Sequence, residues 1–284
     1  ASWELDLWGR VRAGREAAQL QYLSAEFDAE YARQSIAALV AKSWFLATEA
    51  RLQKSAAEDM VRSAERLIEL ARDRQRVGKG DEYDVTLAQA NLQTYRDAVQ
   101  QIDLSYRQAL RALESLIGRY PAAAVEVPPQ LAAKPGPVPV GMPSELLERR
   151  PDVVAAERRV AVAFYRTEEA KAARLPRISL TAAVTTISSE LFVLKDQDDP
   201  VWSAGASLLA PIYLGGALQS QVEIRTAEQK LAVAEYGRVG ARAFGEVESA
   251  LSSAFTLEER TTILARAVAE NERALKYSEI QYRV

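Results

Sequence analysis

The chain states one pattern twice, 207 residues apart and without a gap. A short strand-like run closing on glycine, Trp3-Glu4-Leu5-Asp6-Leu7-Trp8-Gly9, leads into a long proline-free stretch that ends at Arg76-Val77-Gly78. The second copy runs from Pro211-Ile212-Tyr213-Leu214-Gly215-Gly216 to Gln281-Tyr282-Arg283-Val284. Leu7 aligns with Leu214, Gly9 with Gly216, Glu16 with Glu223, Val40 with Val247, Glu65-Arg66 with Glu272-Arg273 and Arg76-Val77 with Arg283-Val284. Register kept over so long a span marks a duplicated structural unit of strand plus long helix.

All eleven prolines lie between Pro121 and Pro211. A proline inside a helix costs about 3 kcal/mol, so the clean arms on either side predict continuous helix. Gly9 to Gly78 alone would extend about 100 Å at the helical rise, too long to fold back into a ball. Apolar residues recur at spacings of four and three in Ala57, Val61, Ala64, Ile68, Ala71 and again in Ile102, Tyr106, Ala109, Leu113, Leu116. That mean period is the seam of a coiled coil, and the alanines allow close approach. Between the two runs, Gly78-Lys79-Gly80-Asp81 reads as a tight reversal: glycine after one helix, an aspartate N-cap before the next. Residues 9–118 are therefore expected to be a helical hairpin with its tip near 78–81, and 215–284 the long helix of the second repeat.

Residues 119–150 are proline-rich and read as an irregular connector. A helix over 151–175 should start at Arg150-Pro151-Asp152, where proline suits the first turn and an early acid suits the positive helix end. The period then changes to two. Ile178, Leu180, Ala182 and Val184 share one face, with hydroxyls on the other; after the acid-rich loop Leu194–Asp199, residues Trp202, Ala204, Ala206, Leu208, Ala210 and Ile212 repeat the alternation. Residues 176–214 are expected to be a β-hairpin whose strands are long enough to cross a bilayer within a closed barrel. Residues 1–8 read as the end of another such strand, Trp3, Leu5 and Leu7 facing lipid and Glu4 and Asp6 facing a lumen or a solvated rim, with the lumen favoured. Trp202 suits the interfacial girdle.

Composition closes other routes. There is no cysteine and no histidine, which removes thiolates, imidazole bases and the usual zinc and copper ligands. A net charge of −3 lacks the clustered positive excess that phosphates need, so no nucleic-acid partner is expected. No run of about eighteen apolar residues is present, which excludes a spanning helix but says nothing of barrel strands. Ala1 is not an initiator methionine and Val284 falls inside a pattern whose first copy continues, so the stretch reads as internal to a longer protein.

These residues resemble the outer-membrane efflux proteins typified by TolC, and more closely the lipoprotein branch that includes OprM and NodT. The most specific match is Met142-Pro143-Ser144-Glu145-Leu146-Leu147-Glu148-Arg149-Arg150-Pro151-Asp152-Val153-Val154-Ala155-Ala156-Glu157, followed by Ala172-Ala173-Arg174-Leu175-Pro176-Arg177. Ser2 to Arg10, the tip from Gly78 through Asp84-Val85, and Pro211-Ile212 before Gly215-Gly216 also match. The resemblance implies a mainly α fold with membrane strands: a trimer in which each protomer gives four strands to one twelve-stranded β-barrel and its coiled-coil helices to a long periplasmic α-barrel. It also implies that Asp84 joins the polar links holding the periplasmic end shut.

Several residues have two readings. Arg149 and Arg150 are either a functional contact or, with more weight, a helix start carrying an outward salt bridge; with Pro151, Asp152 and Pro176 they are structural signature positions. Asp81 and Asp84 either cap a helix and offset its dipole, or also ring a closing tip with Gly78 and Gly80. The leading expectation is a passive outer-membrane exit duct, without cofactor, docking through a periplasmic adaptor to an inner-membrane pump of RND or related type. The alternatives are a type I protein-secretion duct of the same family and a non-transporting coiled-coil envelope scaffold. An enzyme using carboxylates is disfavoured, because no pair of acids sits in a pocket-forming context.

Overall fold

The structure, a computed structural model, describes residues 1–134, 136, 148–186 and 200–283. The acid-rich loop Leu194–Asp199 and the signature residues Met142–Leu147 lie outside them. In chain order the elements are β1 (Ser2–Leu5), α1 (Arg10–Arg76), α2 (Glu82–Leu116), α3 (Pro151–Ala172), β2 (Arg177–Thr186), β3 (Pro200–Leu209) and α4 (Ala217–Arg283). The fold is mainly helical with long helices and a few strands. It divides into one unit of Ala1–Tyr31 with Val140–Val284 and another of Ala32–Pro139.

The second unit is an antiparallel helical pair. The 3–4 spacing of α1 becomes its buried seam: Ala57, Ala64 and Ile68 are each no more than 6% exposed, and Ala64 and Ile68 pack on Leu92, Ala88 and Tyr95 of α2. Farther from the turn, Ala47 packs on Leu110, Leu113 and Val127, with Trp44 and Tyr106 alongside. Ion pairs lace the rim, Lys54 Nζ to Asp103 at 2.6 Å and Arg96 to Glu65 at 3.0 Å. The bond from Lys54 holds the Asp103 carboxyl below its usual range. Glycine at C′ ends both helices: Gly78 (φ +70°) and Gly118 (φ +74°) take the left-handed conformation a Schellman closure needs. Lys79 N–H then reaches the Arg74 carbonyl at 2.8 Å, and Arg119 N–H the Glu114 carbonyl at 2.8 Å.

In the other unit α3 packs on α4 and on the first turns of α1. Its small apolar residues Val153, Ala155 and Ala156 are at most 1% exposed. Ser24 Oγ donates to the Ala155 carbonyl at 3.1 Å, and Thr167 Oγ1 donates to the Arg225 carbonyl at 3.1 Å. Helix α3 ends at Ala172, three residues short of the expected end at 175. The strands form one antiparallel sheet in the order β1-β2-β3. Each repeat turns from strand to helix through a left-handed glycine at the same place, Gly9 (φ +79°) and Gly216 (φ +83°).

Candidate functional site

The sheet carries the first candidate surface. Ile178 pairs with Leu208, Leu180 with Ala206, Ala182 with Ala204 and Val184 with Trp202, while Leu5 and Trp3 of β1 pair with Ile178 and Leu180. Strand partners share a face, so these ten residues form one continuous apolar side. It is open: Trp3 is 70% exposed, Trp202 76% and Leu208 69%. The opposite side carries Glu4, Arg177, Ser179, Thr181, Ser203 and Ser207. The outer edges of β1 and β3 have no strand partner among the described residues. Among the described residues no helix is long and apolar enough to cross a membrane.

Two expectations about strand ends need correction. Asp6 is not in β1, which stops at Leu5. Its carboxylate instead accepts from Val11 N–H at 2.9 Å and Arg12 N–H at 2.9 Å, covering the unbonded donors at the start of α1, and also binds the Arg12 side chain. Likewise β3 ends at Leu209, so Ala210 and Ile212 are outside the strand; Pro211 cannot donate to a ladder. Glu4 does lie on the polar face, and its two oxygens are taken by Arg10 at 2.9 and 2.6 Å. Trp8 Nε1 donates to the Pro176 carbonyl at 2.7 Å, tying the start of α1 to the start of β2.

At the hairpin tip Asp81 is the N-cap of α2, accepting the Asp84 N–H at 2.9 Å. Asp84 takes part in that cap through its backbone, and its carboxylate has no hydrogen bond or ion pair among the described residues. Gly80 sits where a Cβ would meet Arg74 Cβ at 3.3 Å, so the returning chain passes tightly under α1.

The signature residues form a charge network at the base of α3. Pro151 occupies the first turn, and Arg150 grips Asp152 with Nε at 3.0 Å and Nη2 at 2.8 Å while reaching Glu246 at 2.7 Å. Arg242 continues the chain to Glu246 at 3.2 Å. Burial pushes the Asp152 carboxyl up, but the Arg150 fork and the Val153 N–H pull it lower, leaving it below the usual range. The same pairing raises Arg150. Arg149 is exposed.

Sequence reasoning missed two members of these arrangements. Glu246 stands where the first repeat has Leu39, so comparing the two copies could have singled it out. Glu114 carried no signal: 2% exposed, it accepts the N–H groups of Ala123, Ala124 and Val125 at 2.6, 2.6 and 3.0 Å. Among the described residues no group of three or more acids could hold a metal ion.

Comparison with known proteins puts a family to this geometry. The family model "Outer membrane efflux protein" matches residues 1–119 and 142–284. The chain is 32% identical to the outer membrane protein OprJ of Pseudomonas aeruginosa over 283 residues, covering 99% of this chain and 59% of OprJ. It is 27% identical to the cation efflux system protein CusC of Escherichia coli over 285 residues, covering 99% of this chain and 62% of CusC. It thus spans about three-fifths of the curated relatives it matches. Among solved structures, the outer-membrane channel OprN superposes with a TM-score of 0.86 at 27% identity, over 99% of this chain and 64% of that one. The open state of the Neisseria gonorrhoeae channel MtrE superposes with a TM-score of 0.85 at 28% identity, over 100% of this chain and 64% of that one. The chain belongs to the outer membrane efflux protein family, a family of outer-membrane transport proteins rather than enzymes.

Proposed function

We propose that the full protein is a passive exit duct in the outer membrane, the terminal part of a tripartite efflux system. The observation that carries this is the three-stranded sheet, apolar over one whole face, hydroxyl-rich on the other, and open at both edges among the described residues. Unpaired strand edges cannot remain in lipid, so the sheet has to be closed by further strands. A homotrimer with a shared barrel does this, and it turns the face bearing Ser179, Thr181 and Ser207 inward to water and the face bearing Leu180 and Trp202 outward to outer-membrane lipid. The scaffold alternative accounts for the helices and leaves that sheet without a role.

Energy for transport would come from partners: a periplasmic adaptor docking on the helices and an inner-membrane pump of RND or related type. Several relatives carry efflux-pump names, among them the antibiotic efflux pump outer membrane protein ArpC and the toluene efflux pump outer membrane protein TtgC, each 28% identical to this chain. The duct reading leaves substrate choice to the pump. At the tip, the uncommitted Asp84 carboxylate would bind a cationic group in the rest of the assembly and hold the end closed, with Gly78 and Gly80 offering backbone to the adaptor. Single-channel recording of the full-length protein tests the reading. A stable trimeric pore is the expected result; a protein that binds membranes and never conducts would leave the scaffold in its place.

A further inference from the structure

At the corner where β1, β2 and β3 meet the helices there is a cavity of about 250 Å³. Its wall is largely apolar, formed by Leu5, Trp8, Leu209, Leu214 and Leu218, with Arg177 at its edge. Arg177 and Leu209 are cross-strand partners, and they lie on the sheet face that also carries Glu4 and Ser179, opposite the apolar face. Leu5 reaches it from the apolar face, so the cavity sits at the end of the sheet with its charged strand residues, Glu4 and Arg177, on the solvated side.

The charges around it balance in number, Glu4, Asp6 and Glu169 against Arg10, Arg12 and Arg177, but they are unequally bonded. Glu4 is held by Arg10 through two hydrogen bonds, and Asp6 by Arg12 and two backbone N–H groups. Arg177 feels the charge of Glu4 yet forms no hydrogen bond or ion pair among the described residues. A guanidinium left over beside an apolar hollow matches a ligand with one acidic group and one apolar tail. The volume falls just below the roughly 300 to 1,000 Å³ of sites that enclose a drug-sized molecule, so it suits a single tail.

We propose that this corner is a stopping site within the duct for anionic amphiphiles, with Arg177 taking the acid and the leucine wall the tail. The proposal rests on the duct reading above, since the solute would arrive through the lumen. The test uses the full-length trimer in planar bilayers, with decanoate as the probe and decanol as its neutral counterpart. Decanoate should block the open-channel current saturably and decanol should not. Measured against its own unblocked current, Arg177→Gln should show a block about tenfold weaker, the factor that corresponds to one charge-assisted hydrogen bond. Equal block by the two probes, or block unchanged in Arg177→Gln, overturns the proposal. Should Arg177→Gln fail to assemble, binding is read in the unaltered trimer: brominated decanoate should quench tryptophan fluorescence with a saturable component that Trp8→Phe removes, over and above the quenching of Trp3 and Trp202 on the lipid-facing side. No saturable component lost in Trp8→Phe overturns it as well. A protein that quenches at Trp8 but never conducts retains the site and overturns the duct.

Discussion

Three peptide N–H groups converge on the Glu114 carboxylate and decide its charge. Burial alone would raise its pKa; the bonds from Ala123, Ala124 and Val125 hold it below the usual carboxylate range. A carboxyl that titrates lower folded than unfolded contributes stability that is complete above the unfolded value and is lost as pH falls through the folded one. The assembled protein should therefore melt progressively lower as pH drops below about 4.5, and Glu114→Gln should melt lower at neutral pH while losing part of that acid dependence. Parallel melting profiles for the two proteins between neutral and acid pH would show that the cradle is not what anchors Ala123–Val125. Nothing in Ala112-Leu113-Glu114-Ser115 separates this residue from a solvent-facing glutamate, because its partners are backbone groups and these have no letter in a sequence. Asp81 was legible for the opposite reason: a capping side chain meets an N–H only three residues on. That cap also separates two roles at the tip. Asp81→Ala should cost about 1 kcal/mol of hairpin stability without a direct effect on a closed end. Asp84→Ala leaves the cap intact, so a rise in trimer conductance in Asp84→Ala alone would assign the closure to its carboxylate, and an unchanged conductance would remove it from the gate.

The elements were legible wherever a period ran long enough. Alternation assigned the apolar residues of β2 and β3 to one face, and the observed pairing of Ala182 with Ala204 and Val184 with Trp202 keeps them there. Legibility failed at the ends, where the period is overruled by local bonding. Asp6 continues the alternation of β1 on paper but is drawn off to cap α1, and Ala210 and Ile212 continue that of β3 until Pro211 removes a donor. The facing itself is open to measurement. Arginine at Ala204 or Leu208 should meet lipid and cost about 2 to 4 kcal/mol near the bilayer midplane, whereas arginine at Ser203 or Ser207 should be tolerated. Heat-resistant oligomer on gels and yield in the outer-membrane fraction report both sets, and an equal loss in the two would overturn the assignment of outside and inside.

For the whole molecule, the duplication was the readable fact: it placed the second strand-to-helix corner, and Gly9 and Gly216 turn it with nearly the same φ. What duplication could not convey is where the copies part company, as at Glu246, which joins Arg150 and Arg242 where the first repeat keeps Leu39. Assembly follows from the open sheet. Extracted full-length protein should run in detergent as a trimer at any concentration that preserves it, and a stable water-soluble monomer in light scattering would contradict the shared barrel. The two unpaired edges of β1 and β3 have a genetic corollary. If a barrel is completed only by strands from every subunit, a chain with a spoiled edge, such as one carrying proline at Ala206 of β3, would be defective in company as well as alone. Expressed equally with the normal chain and mixing freely, it would leave only about one assembly in eight untouched. Such an allele would behave as dominant, and drug sensitivity in a cell that still carries a normal copy would reveal it.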